Sequence, residues 1–121
     1  MYLDIYREYC LSKHGVTEET PFGPETLVFK VMNKVFAITG IDDFAFINLK
    51  CDPEKAVELR EQYDGIRPGW HMNKTHWNSV LTDGQISDQM ILELTDHSYE
   101  TIVKSLPKKL RKELEELKER S

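Results

Sequence analysis

Cysteine is scarce in this chain: Cys10 and Cys51 stand far apart, with no Cys-x-x-Cys pairing. That spacing excludes a zinc ribbon, a thioredoxin motif and a disulfide framework, and both thiols read as reduced core residues. Long apolar runs are missing too. No stretch approaches the roughly 20 residues of a membrane span, and the N-terminal MYLDIYREYC carries acids where a signal peptide is basic and then apolar. The expectation is a cytoplasmic protein with no membrane partner. Positive charge is in short supply, 16 Lys and Arg against 21 Asp and Glu for a net of −5, the wrong sign for a protein that coats nucleic acid non-specifically. Catalytic signatures are absent: there is no Gly-x-Ser-x-Gly elbow, no phosphate-binding glycine loop and no His-Glu-x-x-His, so no enzyme and no cofactor is expected.

What is present suffices for one domain. The 121 residues are 40% hydrophobic and 31% charged, enough apolar material for a single core and too much for a disordered chain. Charge is unevenly spread. Residues 1–64 carry a net of −5 and residues 83–121 a net of −2, whereas 65–82 hold Arg67 and Lys74 and no acid. That acid-free window, GIRPGWHMNKTHWNSVLT, also contains both tryptophans, Trp70 and Trp77.

Periodicity predicts a first helix over 2–13, stopped by Gly15. TEETPFGPE reads as a loop that plugs Phe22 into the core, with Glu18 and Glu19 as solubilising loop acids. TLVFKVM and VFAIT then form a hairpin around Asn33-Lys34, and DFAFINLK makes a third strand. Asp52 caps a helix with Pro53 at its first position, burying Ala56, Leu59 and Tyr63 and ending at Gly65. After the Pro68-Gly69 turn, a strand over 74–81 has Thr75, Trp77 and Ser79 on one face, with Trp77 toward the core, and Lys74, His76 and Asn78 on the other. Ser87 caps a long helix with Ile91, Leu94, Ile102 and Leu106 on its buried stripe. Residues 107–121 continue it as a charged helical extension, interrupted or restarted at Pro107. The Leu106, Leu110, Leu114 and Leu117 stripe packs on its own domain or on a second subunit, so a monomer and a weak homodimer both remain open. Hairpin-joined strands bracketed by helices indicate an α+β fold with an antiparallel sheet of about five strands, in the order α-β-β-β-α-β-β-α.

Four segments carry a resemblance: PFGPETLVFKV at 21–31, INLKCDPEKAVELREQY at 47–63, GIRPGWHMNKTHWNSV at 65–80 and LTDHSYETIVKSLPKKLR at 94–111. Together they resemble the MmcQ/YjbR family of small bacterial proteins over nearly the whole chain. The His-Met-Asn-Lys-x-His-Trp-Asn run at 71–78 is the most specific part. Two features depart from the family pattern: Asn33-Lys34 stands where glycines are common, and the tail after Arg111 is extra. The resemblance implies a CyaY-like (frataxin-like), or double-wing, domain, whose members are usually labelled DNA-binding.

On the residues themselves, Arg67 and Lys74 suit phosphates, Asn73 and Asn78 suit base edges, and an exposed Trp70 suits base stacking. His71 and His76 share that segment, Lys30, Lys34 and Lys50 could extend it from neighbouring strands, and Lys108, Lys109, Arg111 and Lys112 form a second basic cluster. The bland alternative has Trp70 packed beside the Pro68-Gly69 turn and the polar residues as an ordinary solvated face. A third reading is a protein-binding or small anionic-ligand module in which Arg67 or Lys74 pairs with a carboxylate or phosphate. No metal is expected, because His71 and His76 point to opposite faces of a regular strand with no cysteine or paired carboxylate beside them. If duplex DNA is bound through about three phosphates, log affinity falls with log salt at a slope near −3, and Lys74→Ala flattens it by about one unit. A fluorescence titration at two salt concentrations measures both.

Overall fold

Helix α1 (Leu3–Leu11) turns Tyr6 and Cys10, four residues apart, into the core. It ends ahead of Gly15, whose φ of +75° only glycine adopts without strain. The chain then forms β1 (Val16–Glu19), β2 (Thr26–Val31), β3 (Lys34–Gly40) and β4 (Phe46–Lys50), followed by α2 (Pro53–Gln62), β5 (Ile66–Pro68) and β6 (Trp77–Leu81). Helices α3 (Asp88–Ser105) and α4 (Lys108–Glu119) complete it. The computed structural model describes residues 1–120, so Ser121, the last residue of the expected extension, lies outside the described part. All strand pairings are antiparallel, in the order β1-β2-β3-β4-β6-β5.

This is the expected α+β architecture with one more strand. Residues 16–19, of which 17–19 were expected in a loop, pair with β2 along the sheet edge. Two adjacent glutamates suggested solvent, but each has a cation: Glu18 pairs with Arg7 of α1, and Glu19 meets Lys30 of β2 at 2.7 Å. Charged residues suit an edge strand, where they discourage pairing with another chain. The hairpin turn falls one position earlier than expected, at Met32 and Asn33, with φ of +47° and +72°. Positive φ at both central positions matches the sense of strand twist.

The helices lie on one face of the sheet, with α3 across β2, β3 and β4. Tyr6, Phe29, Phe36 and Tyr99 form edge-on and tilted ring contacts at the centre of this core. The long expected helix breaks at Leu106 and Pro107, as the missing N–H and fixed φ of proline require, and restarts as α4. The extension packs on its own domain: Leu114 is fully buried, and a Cβ added at Gly15 would stand 2.8 Å from its Cδ1. No described helix is long and apolar enough to cross a membrane.

One histidine with no expected role joins two elements. The Nε2 of His97 in α3 accepts the main-chain N–H of Asp52 at 3.3 Å, just ahead of α2, so the bond requires a neutral ring. Burial holds His97 below the usual imidazole range, Lys55 and Lys104 push the same way, and Asp52 opposes them.

Two predictions follow from this packing. Gly15→Ala forces a side chain into positive φ and against Leu114, and should cost about 1–3 kcal/mol in urea unfolding. For His97, the unfolded chain takes up a proton near pH 6.5 and the folded chain only at lower pH. Stability therefore falls as pH drops below that value, and the fall should be smaller in His97→Gln, measured as urea midpoints at pH 7.5 and about 5.5.

Candidate functional site

The face of the sheet away from the helices is covered only by its own loops. Register places one row of residues across all six strands: Glu19, Val28, Ile38, Asn48, Ser79 and Arg67. Adjacent positions in β6 point the other way. Asn78, expected on the solvent face as a base reader, is 2% exposed and lies toward α2, where its Nδ2 donates to the Ala56 carbonyl and its Oδ1 accepts from Arg60. The expected faces of this strand are thus reversed. Trp77 is buried as expected, but on the loop-covered face, where the Lys50 ammonium lies 5.8 Å from its ring centre. Alternation could not reveal this, because both faces of β6 are covered and its polar residues find partners on each.

The strand also begins later than expected, at Trp77, because residues 70–76 form a folded loop. Asn73 organises that loop: its carbonyl accepts from Trp77 N at 3.0 Å and its Oδ1 from Thr75 N at 2.9 Å. At Gly69 a side chain is excluded, since a Cβ there would lie 2.8 Å from the Trp77 Cβ. Arg60 holds the far end of the loop through the Lys74 carbonyl at 2.9 Å. The near end is held from below. Trp70 N donates to Ser79 Oγ at 2.9 Å, Asn48 Nδ2 donates to the Trp70 carbonyl at 3.0 Å, and Ser79 Oγ donates to Asn48 Oδ1. Asn48 and Ser79 are both buried, so their polar atoms are committed to the Trp70 backbone rather than to solvent.

That anchorage leaves the Trp70 ring free. It is 63% exposed, with the His71 imidazole edge-on at 4.5 Å, and His71 itself adopts φ of +56°. Across the open face stands Phe22 on the 20–24 loop, expected in the core and instead 72% exposed. Between them runs a groove of about 620 Å³ lined by Thr26, Val35, Ile38, Phe46, Trp70 and Met72, with Asp43 and His71 as its ionisable residues. Phe22 was missed because its flanking prolines and glycine fix a turn without saying which way the ring points.

The expected cationic surface is dispersed. Lys30 is matched by Glu19, and Lys50 lies against Trp77. Arg67 and Lys74 are exposed, and Arg67 Nε donates to the Asp64 carbonyl. The Asp83 carboxyl, lowered chiefly by hydrogen bonds from Gln85, is lowered further by Arg67. His76 is half-buried, with its carbonyl bonded to Cys51 N. Lys108 and Lys109 are exposed on α4, which packs at Gly15 beside β1, whereas β5 with Arg67 forms the opposite edge of the sheet. Among the described residues, no group of three metal-ligating side chains occurs. Cys51 is no activated thiol: burial pushes it up to about 11 despite the nearby Lys55 cation.

Asn48→Leu keeps the bulk but leaves the Trp70 carbonyl and the Ser79 hydroxyl proton without their partner, which should cost about 1–3 kcal/mol. Amide exchange should accelerate selectively in the 70–76 loop, since that loop loses its floor.

Comparison with known proteins agrees with this architecture. The YjbR family model matches residues 11–101. The Escherichia coli protein YjbR is 35% identical over 111 residues, covering 91% of this chain and 94% of its own. YbdF, also from Escherichia coli, is 41% identical over 90 residues, 74% of each chain. Among solved structures, Deinococcus radiodurans protein DR2400 superposes with a TM-score of 0.85 at 39% identity, covering 93% of this chain and 86% of that one. The family match over most of its length, together with the identity to YjbR over nearly the whole of both chains, leads to one conclusion: this chain belongs to the YjbR family.

Proposed function

We propose that this protein is a non-enzymatic binding module that takes a small, largely apolar organic molecule on the open face of its sheet. The observation that carries the reading is the pair of exposed rings, Phe22 and Trp70, that line one groove of about 620 Å³. That size falls within the roughly 300–1,000 Å³ of small-molecule sites. The composition fits as well, with an apolar floor and few polar groups. A rigid base supports it, because Trp70 is tied through its main chain to buried Asn48 and Ser79 while its ring stays available.

Duplex DNA is the second reading, favoured by the exposed Arg67 and Lys74 next to an accessible Trp70. It is weakened by the commitment of Asn78 to α2, the pairing of Lys30 with Glu19, and the position of Asp43 in the groove.

Nuclear magnetic resonance titration of the labelled protein with one- and two-ring aromatic fragments separates the two. The expected result is millimolar binding, about −4 kcal/mol, with shifts centred on Ile38, Phe46, Trp70 and Met72. Trp70→Ala should weaken it about tenfold, the value of a ring-on-ring contact of roughly 1.4 kcal/mol. Shifts confined to Arg67, Lys74 and their neighbours on adding a DNA duplex, with no fragment in the groove, would favour the nucleic-acid reading and overturn the first.

A further inference from the structure

The charge around the groove is one-sided. Asp43 lines it. Asp42 adjoins Asp43 in the turn after β3, and Glu25 stands at the start of β2, where its carbonyl accepts the Ile41 N–H at 2.9 Å and brings the two segments side by side. All three carboxylates are exposed, and among the described residues none of them forms an ion pair. The turn is tightly fixed: a Cβ at Gly40 would sit 2.6 Å from the Asp43 carbonyl oxygen, so the carboxylates are presented on closely packed backbone. On the open face Lys30 is already neutralised by Glu19 at 2.7 Å, Lys50 lies on Trp77, and among the described residues no Lys or Arg lines the groove. The groove therefore joins an apolar, ring-flanked body to an anionic end without a matching cation.

We infer that the ligand of this groove is a cationic amphiphile: a small molecule with a planar or aliphatic body between Phe22 and Trp70 and an ammonium or guanidinium group at the Glu25, Asp42 and Asp43 end. The inference rests on the groove reading above and adds the sign of the ligand's charge. The three carboxylates attract a cation through partly exposed, moderately screened space. An anionic ligand, by contrast, would approach the carboxylates with no free cation lining the groove.

Three probes with one ring system and different heads test it: naphthylethylammonium, naphthylethanol and naphthylacetate, titrated against the full chain at low and moderate salt. The ammonium compound should bind about fivefold more tightly than the alcohol, as one solvent-screened ion contact of about 1 kcal/mol gives, with the acetate weakest. The preference should shrink with added salt, and in Asp43→Asn the ratio of ammonium to alcohol affinity should fall toward one. Since Asp43 is exposed, that variant keeps the fold, and an unchanged amide spectrum outside the groove verifies it. Equal binding of all three probes, or tighter binding of the acetate, overturns the charge assignment and leaves the groove intact. If none of the three shifts Ile38, Phe46 or Trp70, the groove reading itself fails and the assignment with it.

Discussion

Both main-chain polar groups of Trp70 are held by buried side chains of the sheet, and the candidate site depends on that arrangement. A sheet with helices on one face must hide or solvate its other face. Here the loop between β5 and β6 folds back over it, and a folded-back loop brings N–H and C=O groups that need partners away from water. Asn48 and Ser79 supply them, one as donor and the other as acceptor, and each also satisfies the other. A small polar network thus fixes the position of a large exposed ring. Phe22 stands opposite on a loop shaped by two prolines, so the groove has one wall pinned from below and another set by turn geometry.

The helix side follows a different logic. Its core is dominated by ring contacts among Tyr6, Phe29, Phe36 and Tyr99, and its buried polar groups serve to join elements. The Ser98 hydroxyl donates to the Phe36 carbonyl and accepts from Lys50 N, linking α3 to two strands, and Asn78 with Arg60 joins α2 to β6. Asn78 shows why an asparagine in a strand is a poor guide to exposure. An amide with both donor and acceptor satisfied by Ala56 and Arg60 is as much a core residue as an apolar one.

Local charge decided less than its density in the sequence suggested. The acid-free window at 65–82 contributes Trp70, His71 and Met72 to the groove, but none of its cations lines it. Arg67 lies on the edge strand with Asp64 and Asp83 beside it, and Lys74 lies on the loop whose backbone Arg60 holds. The acids near the site come from elsewhere, from the turn after β3 and the start of β2, which are neighbours only because those strands pair.

From sequence alone came the elements governed by short-range physics. Asp52 and Ser87 are caps because their side chains reach the N–H groups of Lys55 and Met90, and Pro107, tolerated at a helix start but not inside one, separates α3 from α4. The α+β order and the buried thiols were legible for the same reason, whereas an exposed and a packed Trp70 both stayed open until the structure showed the ring in solvent. Tertiary structure alone decided which face of β6 meets the helices, that Glu18 and Glu19 form an edge strand, that Phe22 points to solvent, and that Phe22, Phe46 and Trp70 share one groove. The edge strand depends on Arg7 and Lys30, the facing of β6 on Ala56, and the placing of Trp70 on Ser79, all outside the segments concerned. When both faces of a strand are covered, no alternation of polar and apolar residues remains to be read.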